Sequence, residues 1–203
     1  MLARVSYGQV QPGKMYEFLG IYRDSIVPAA QQQSGYQGIL VLTNHNTGKS
    51  LTITFWETEA DAGSSESFGN LQDQRTKLLD VLAGPRAVER YELSVQAHTS
   101  VGGYPAQARV VTAQLQAGKT EEATRLYQDS VLAAAEEMRG FRGARLLTDA
   151  RRNKAISVTL WETEADMIAG ETQVEYYQEQ LAKMARLSTG PPITEHYEVS
   201  VEG

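Results

Sequence analysis

The feature that most constrains this chain is a six-residue motif that occurs twice. Residues 56–61 and residues 161–166 both read Trp-Glu-Thr-Glu-Ala-Asp, 105 residues apart. The same shift of 105 residues aligns further identical residues without a gap over most of each half. The second copy then has one extra residue, after which residues 91–95 match residues 197–201. Solenoid repeats are shorter, about 20–50 residues. The period therefore indicates two whole domains, each long enough to hold its own core.

The repeat also sets the predicted domain boundaries. One module spans residues 1–95 and the other spans residues 107–203. The intervening residues 96–106 contain Gly102, Gly103 and Pro105, which is the composition of a linker.

Composition narrows the functions that such a chain can have. The chain has 203 residues, no Cys and a formal net charge of −6. The absence of Cys removes disulfides and thiolate chemistry, and the acidic balance disfavours nucleic-acid binding, which requires a basic face. No apolar run approaches the roughly 20 residues that span a bilayer, and no signal peptide is evident. We therefore expect a cytoplasmic protein that binds neither nucleic acid nor membrane.

Hydrophobic periodicity predicts the same order of elements in each module: strand, helix, strand, strand, helix, strand. An amphipathic first helix is indicated by apolar residues spaced by three and four, namely Met15, Phe18, Leu19, Tyr22, Ile26 and Ala30. Two β-rich runs at 38–43 and 50–56 flank a hairpin loop, and the second helices lie at roughly 66–82 and 171–187. This is the order of the βαββαβ ferredoxin-like unit. Such a unit leaves one sheet face bare, and a second unit in the same chain can cover it.

The chain resembles the dimeric α/β-barrel superfamily, in particular the antibiotic biosynthesis monooxygenase-like (ABM) domains. The resemblance rests on the βαββαβ order and on two stretches at the junction of the third strand and the second helix: Thr-Phe-Trp-Glu-Thr-Glu-Ala-Asp (54–61) and Thr-Leu-Trp-Glu-Thr-Glu-Ala-Asp (159–166). It covers nearly the whole chain, twice. It implies an α+β fold in which two tandem ferredoxin-like modules form one intrachain pseudo-dimeric α/β barrel. Further assembly into a homodimer stays open.

The repeated motif has the pattern of a helix start. Thr58 and Asp61 have the spacing of an N-cap and an acidic N3 residue, and so do Thr163 and Asp166. We therefore expect these acids to begin a helix rather than to act as catalytic carboxylates. No His lies near the motif in either copy, so no metal site is expected there.

The strand before the motif has two different faces. One face carries Leu51, Ile53 and Phe55. The other face carries hydroxyl-bearing residues, among them Thr54, and ends at Trp56. The corresponding strand of the second copy has Thr159 and Trp161 at the matching positions. We expect the aliphatic face to contact the helices. The face with Thr54, Thr159 and the two Trp residues suits either the barrel interior or a ligand pocket. Packing is the favoured role of each Trp, and stacking on a flat substrate is the alternative.

Few side chains are candidates for acid–base chemistry. Among the three histidines, only His196 lies where a barrel pocket could include it, and it is a candidate for a general base. Tyr91 and Tyr197 are further catalytic candidates, and Tyr36 is a candidate for a pocket hydroxyl. Core packing is the alternative for all three tyrosines.

The resemblance implies several activities. Haem-degrading relatives use an Asn on the first strand with a His and a Trp on the second helix, and this chain has none of these at the matching positions. Other relatives oxidise phenols or quinols with O₂ and no cofactor. We therefore predict a cofactor-independent monooxygenase acting on a small hydrophobic or aromatic molecule, with one module active. The alternatives are a barrel that binds a small molecule without turnover, for instance in a stress response, and a purely structural pseudo-dimer.

Overall fold

The computed structural model describes residues 1–67, 76–99, 105–172 and 175–203, with the backbone alone at residues 66, 67, 172, 176 and 177. The chain divides into two compact units. The first unit comprises residues 1–91 and 198–203, and the second unit comprises residues 92–197.

The first unit begins with the predicted strand and helix. Its elements are β1 (Leu2–Gln9), α1 (Met15–Ile21), a π-helical segment (Tyr22–Ile26), α2 (Val27–Gln31), β2 (Tyr36–Thr43), β3 (Lys49–Trp56), α3 (Glu59–Ser67) and the start of β4 (Ala87–His98). Residues 76–79 are helical as well. The predicted linker at residues 96–106 thus begins inside β4, which continues to His98, and the domain boundaries stay a prediction.

The second unit repeats this order. Its elements are β5 (Gln107–Gln114), α4 (Thr120–Leu126), a π-helical segment (Tyr127–Leu132), α5 (Ala133–Glu136), β6 (Phe141–Asp149), β7 (Lys154–Trp161), α6 (Glu164–Thr172), α7 (Glu175–Ala185) and the start of β8 (Ile193–Glu202). Parts of the predicted second helices, residues 68–75 and 173–174, lie outside the described residues.

The eight strands form a closed barrel in the order β1-β3-β2-β8-β5-β7-β6-β4. The end of β8 belongs to the first unit, where Val201 pairs with Val41 of β2. The second half of β4 belongs to the second unit, where Leu93 pairs with Leu147 of β6. This strand order confirms the predicted fold class, a tandem pair of ferredoxin-like modules in one α/β barrel.

The first helix packs its predicted apolar stripe against the sheet. Its stripe residues are 9% exposed or less: Met15, Phe18, Leu19, Tyr22, Ile26 and Ala30. All of them except Ala30 form one core with Ile39 and Val41 of β2 and with Leu78, Val81 and Leu82. Burying a large apolar side chain stabilises the fold by about 1.5–3 kcal/mol relative to exposure, so this stripe is sufficient to fix the helix on the sheet.

Both units interrupt this helix with a π-helical segment, a feature that sequence periodicity does not predict. The segment brings the Tyr22 hydroxyl within 3.0 Å of Thr52 Oγ1 and the Tyr127 hydroxyl within 2.9 Å of Ser157 Oγ. The second copy has Ala133 where the first has Pro28, so proline is not required for the π-helical turn. Such turns are frequent at functional sites.

The repeated motif forms the predicted helix start. Thr58 Oγ1 accepts a hydrogen bond from the Asp61 backbone N–H at 3.1 Å and donates to Asp61 Oδ2 at 2.5 Å. Thr163 and Asp166 form the same pair of bonds at the same distances. Both motifs therefore cap a helix.

The predicted orientation of β3 is wrong. Thr52 bonds to Tyr22 on the helical layer, so the hydroxyl-bearing face is the one that contacts the helices. Leu51, Ile53 and Phe55 lie on the other side of the sheet, 4% exposed or less. Alternation identifies two faces of a strand, but it does not identify which of them a helix covers.

Across the described ranges, none of the helices has both the length and the apolar character needed to cross a membrane.

Candidate functional site

The most regular feature of both units is an arginine stacked on a tryptophan. The Arg4 guanidinium lies 5.6 Å from the centre of the Trp56 ring, and the Arg109 guanidinium lies 5.4 Å from that of Trp161. The register of β1 on β3 and of β5 on β7 produces this contact, because it pairs each Arg with a Thr two residues before the Trp. Such a contact is worth about 0.5–1 kcal/mol for an exposed cation and about 2 kcal/mol for a desolvated one, so the buried Arg109 is held more firmly than the partly buried Arg4.

Hydrogen bonds and ring contacts fix each indole. Trp56 Nε1 donates to Thr54 Oγ1 at 3.1 Å, and Trp161 Nε1 donates to Thr159 Oγ1 at 3.0 Å. Both indoles are 0% exposed. Each also meets a second ring edge-on, Tyr36 at 5.7 Å in the first unit and Phe141 at 5.6 Å in the second. The tryptophans are therefore buried anchors that orient an arginine.

Tyr36 has a further contact at the rim of the first unit. Its hydroxyl donates to the Gly203 carbonyl at 3.2 Å. Burial raises the pKa of Tyr36 to about 12, so its phenol stays protonated at neutral pH and serves as a hydrogen-bond donor rather than as a base.

A cavity of about 360 Å³ lies between the sheet and the helices of the first unit. Its described lining combines a hydroxyl-bearing sheet wall, an apolar helix wall and three arginines: Arg4, Ser6, Tyr22, Ile26, Ala30, Thr52, Thr54, Trp56, Leu78, Arg86, Val88 and Arg90. This size is within the range of small-molecule sites, about 300–1,000 Å³.

The second unit has a larger cavity, of about 510 Å³, at the corresponding position. Its described wall is mostly apolar, with Val111, Val131, Leu146, Leu181 and Met184 among its residues. The charged residues of this described wall are Arg109 and Glu171. The cavity thus suits an apolar molecule that presents one polar group to the Arg109 side of the wall.

The charged groups of the second cavity form a connected array. Arg109 Nη1 lies 3.5 Å from Glu171 Oε1, and the same carboxylate oxygen lies 2.7 Å from His196 Nε2. The side chain of Arg109 is 3% exposed, that of Glu171 is 26% exposed and that of His196 is 39% exposed. The array therefore leads from a buried cation through a carboxylate to an imidazole that reaches solvent.

Most of the residues singled out from sequence lie in or beside these cavities. Trp56 and Thr54 line the first cavity, and Tyr36 contacts the Trp56 ring. Trp161 and Thr159 hold Arg109 at the second cavity through the stacking contact and the indole hydrogen bond. His196 contacts the cavity wall through Glu171. The catalytic roles of these residues remain predictions.

Tyr91 and Tyr197 lie elsewhere. Both are buried, 2% and 4% exposed, and neither is among the described lining of a cavity. The Tyr91 hydroxyl donates to Glu89 Oε2 at 2.7 Å. Burial first, and then this hydrogen bond, raises the pKa of Tyr91 well above its ordinary value. A base role for Tyr91 therefore has no support from its surroundings.

Sequence reasoning missed the arginines and Glu171. A signal was present, because Ala-Arg-Val occurs at residues 3–5 and again at 108–110, which places a cation inside an apolar strand in both copies. A charge at such a position requires a partner or a function. Glu171 carries no comparable signal, since it follows a helix start that contains several other acids.

As regards metal ions, no three His, Asp or Glu side chains converge in the part of the chain that the structure describes. The Glu171 carboxylate, which lines the second cavity, is already hydrogen-bonded to the His196 imidazole.

No protein-family model matches the sequence. Two uncharacterized proteins of Mycobacterium tuberculosis strain H37Rv are similar, one 27% identical over 142 residues and one 29% identical over 153 residues. The alignments cover 70% and 72% of this chain and 62% and 61% of the relatives, so the chain spans about three fifths of their length.

Solved structures share the fold across nearly the whole chain. A proposed monooxygenase of Fusobacterium nucleatum has a TM-score of 0.77 at 11% identity, covering 98% of this chain and 90% of that one. An anthrone oxidase-like protein has a TM-score of 0.72 at 13% identity, covering 100% and 92%. A haem-degrading enzyme of Listeria monocytogenes has a TM-score of 0.55 at 13% identity, covering 98% and 99%. The chain therefore has the fold of the ABM-type dimeric α/β barrels, duplicated in tandem.

Proposed function

We propose that the second unit oxidises a small planar phenol or quinol with O₂ and without a bound cofactor. The observation that carries this proposal is the Arg109–Glu171–His196 array at the wall of an apolar cavity. The fold shared with a proposed monooxygenase and with an anthrone oxidase-like protein supports the same reaction class.

The array supplies the proton transfer that this chemistry requires. Glu171 lines the cavity and accepts the proton of the substrate hydroxyl or of an acidic ring C–H. His196 shares a hydrogen bond with that carboxylate and is part-exposed, so it passes the proton to solvent. Glu171 is thereby restored as the base for the next turnover.

Arg109 stabilises the anion that deprotonation leaves. Its guanidinium lies at the same cavity wall and is held in place by Trp161. A fixed cation inside an apolar cavity favours a developing oxyanion far more than water does, because it needs no reorganisation during the reaction. Removing one such group typically lowers turnover by about 10²–10³-fold.

The reaction balances without an external reductant. The deprotonated aromatic is electron-rich and transfers electrons to O₂, after which a new C–O bond forms at the ring carbon. One oxygen atom replaces two hydrogens of the substrate as a carbonyl, and the other leaves as water together with those hydrogens. The role of the protein is to bind, deprotonate and stabilise the anion.

The test uses anthrone and 1-naphthol as probes, with protein treated with a chelator and no added flavin, haem or metal. We expect O₂ uptake and quinone formation above the autoxidation blank. Glu171→Gln should lower turnover by about 10²–10⁴-fold, since the carboxylate is the base. Glu179→Gln is the matched control, because Glu179 is exposed on the same helical layer and is absent from the described cavity lining.

Two results would contradict the proposal. Equal turnover by the unmodified protein and by Glu171→Gln would remove the base from the reaction. Saturable probe binding without O₂ uptake would instead favour a protein that binds small molecules without turnover.

A further inference from the structure

We infer that Ser188 sets the length of the cavity in the second unit and binds a second oxygen atom of the ligand, at the end remote from Arg109. The ligand class is an elongated aromatic molecule of three linearly fused rings with an oxygen function at each end. Calling that molecule a substrate rests on the oxidation proposed for this cavity, whereas its length and its second polar end follow from the cavity itself.

Ser188 lies at the end of the cavity opposite to Arg109. Arg109, Val111 and Ala113 line the cavity from β5, because alternate residues of a strand share one face, and four residues of a strand span about 13 Å. Leu115, two residues further along the chain, forms a β-bridge with Ser188, and Ser188 is itself part of the described lining. The cavity is therefore elongated along β5, from a charged end at Arg109 to Ser188.

The hydroxyl of Ser188 is a polar group in largely apolar surroundings. Its Oγ is buried and has no hydrogen-bond partner among the residues that the structure describes. Met184 and Ala185, at the end of α7, are close to it in the chain and line the same cavity. Nearly all buried polar atoms in proteins have a partner, and an exception requires an explanation. A ligand oxygen at this end of the cavity would be that partner.

The first unit has a leucine at the equivalent position. Leu82 forms the corresponding β-bridge, with Val10, and belongs to the apolar core of its unit at 4% exposure. Its Cδ2 lies 3.3 Å from the position that a Cβ on Gly8 would occupy, and Gly8 corresponds to Ala113 in the repeat. Neither Leu82 nor Gly8 is in the described lining of the first cavity. The leucine therefore fills the end that the serine leaves open.

The volumes of the two cavities differ in the direction that this exchange predicts. The second cavity has about 510 Å³ and the first has about 360 Å³. Ala113 and Ala155, which are paired across β5 and β7, also line the second cavity. Ser188 thus adds a third small side chain to this end of the wall, so that the second cavity has room for an additional ring.

The two ends of the second cavity differ in chemistry. Arg109 and Glu171 are the charged residues of its described lining, and they lie 3.5 Å apart at one end. Ser157, opposite Val111 on β7, donates to the Tyr127 hydroxyl at 2.9 Å between the ends. A serine hydroxyl both donates and accepts, so a phenol or a ring carbonyl satisfies the far end. The ligand is thereby oriented with its reacting hydroxyl at the charged end.

Calorimetric titration in the absence of O₂ tests this assignment in the intact chain. The probes are 2-naphthol, 2-hydroxyanthracene and 2,6-dihydroxyanthracene, which differ first in length and then in the second oxygen. We expect 2,6-dihydroxyanthracene to bind about three- to tenfold more tightly than 2-hydroxyanthracene, since it gains one net hydrogen bond at Ser188.

Two substitutions of Ser188 separate its hydroxyl from the length of the cavity. Ser188→Ala should abolish the preference for the second oxygen and leave the affinity for 2-hydroxyanthracene unchanged. Ser188→Leu should weaken both anthracene probes about tenfold or more, because the leucine occupies the space of the third ring, and should leave 2-naphthol unchanged. The backbone accommodates a leucine there, as the equivalent bridge of Leu82 shows. Thr189→Leu is the matched control, since Thr189 is exposed and absent from the described lining.

Three outcomes would overturn the inference: equal binding of the two anthracene probes by the unmodified protein, a preference that Ser188→Ala retains, or a Ser188→Leu variant that weakens 2-naphthol as much as the anthracenes. Binding measured without O₂ is independent of turnover. If these preferences hold and the protein takes up no O₂ in air, the oxidation alone fails. If O₂ uptake depends on Glu171 but binding does not depend on Ser188, only the role of Ser188 fails.

Discussion

The duplicated indoles allow a matched test of how each unit is held together. Trp56 and Trp161 are both 0% exposed, and their hydrogen bonds to Thr54 and Thr159 differ by only 0.1 Å, at 3.1 and 3.0 Å. Substituting either Trp with Phe removes the indole N–H and leaves a void beside the arginine. The two substitutions should therefore have nearly the same cost.

The expected loss in the free energy of unfolding follows from these contacts. Loss of the buried hydrogen bond costs about 1 kcal/mol, and the void with the lost packing costs about 1–2 kcal/mol more. The weaker stacking on the arginine adds about 0.5–1 kcal/mol. We expect a loss of about 3 kcal/mol in the free energy of unfolding for each variant, or a Tm lower by about 6–12 °C for a chain of this size.

Urea denaturation followed by far-UV circular dichroism measures this cost. Thr159→Val serves as a partial variant: it keeps the indole but leaves its N–H without an acceptor, at about 1–3 kcal/mol. If either Trp→Phe variant were as stable as the unmodified protein, the indole would not be an anchor. A difference of more than about 2 kcal/mol between them would refute the equivalence of the two units, since that exceeds the combined hydrogen-bond and stacking contributions.

The remaining predictions concern substitutions at single residues. Thr163→Ala should lower the free energy of unfolding by about 1 kcal/mol in urea denaturation, because the Asp166 N–H loses its cap. Gly140→Ala should cost about 2–3 kcal/mol, since Gly140 has φ 76° and an added Cβ would lie 2.6 Å from Asp166. Gly118→Ala, with the same φ but open space around it, should cost only about 1–2 kcal/mol in the same assay. The folded-state pKa of Tyr36, about 12, lies above the ordinary value of 10.0, so its contribution to stability is intact below pH 10 and is lost as the pH rises toward 12. Tyr36→Phe should flatten this alkaline decline in unfolding titrations, and an unchanged slope would show that the phenol is not responsible.

Local patterns in the sequence predict much of this fold. The spacing from Met15 to Ala30 predicts the helix stripe, and the spacing of Thr58 and Asp61 predicts the cap, because each depends on residues within a few turns of one another. The orientation of the two β3 faces could not be predicted this way. It depends on what the helices cover, which is decided by packing across the whole module.

The site is harder to predict because its groups are distant in sequence. Arg109, Glu171 and His196 come from a strand, a helix and a later strand, and only the fold brings them together. The position of His196 near the start of the last predicted strand identifies it as a candidate. The sequence does not identify the arginines of the first cavity in this way. A single Arg in a strand is ambiguous until the strand register shows which face of the sheet it lies on.

Isotope labelling tests the central claim most directly. With oxygen-18 gas and anthrone, chelator-treated protein should form a product that carries one oxygen atom from O₂, and Glu171→Gln should form none above the autoxidation blank. A product without the label, or turnover that begins only when flavin, haem or a metal ion is added, would contradict cofactor-independent oxidation at the Arg109–Glu171–His196 array.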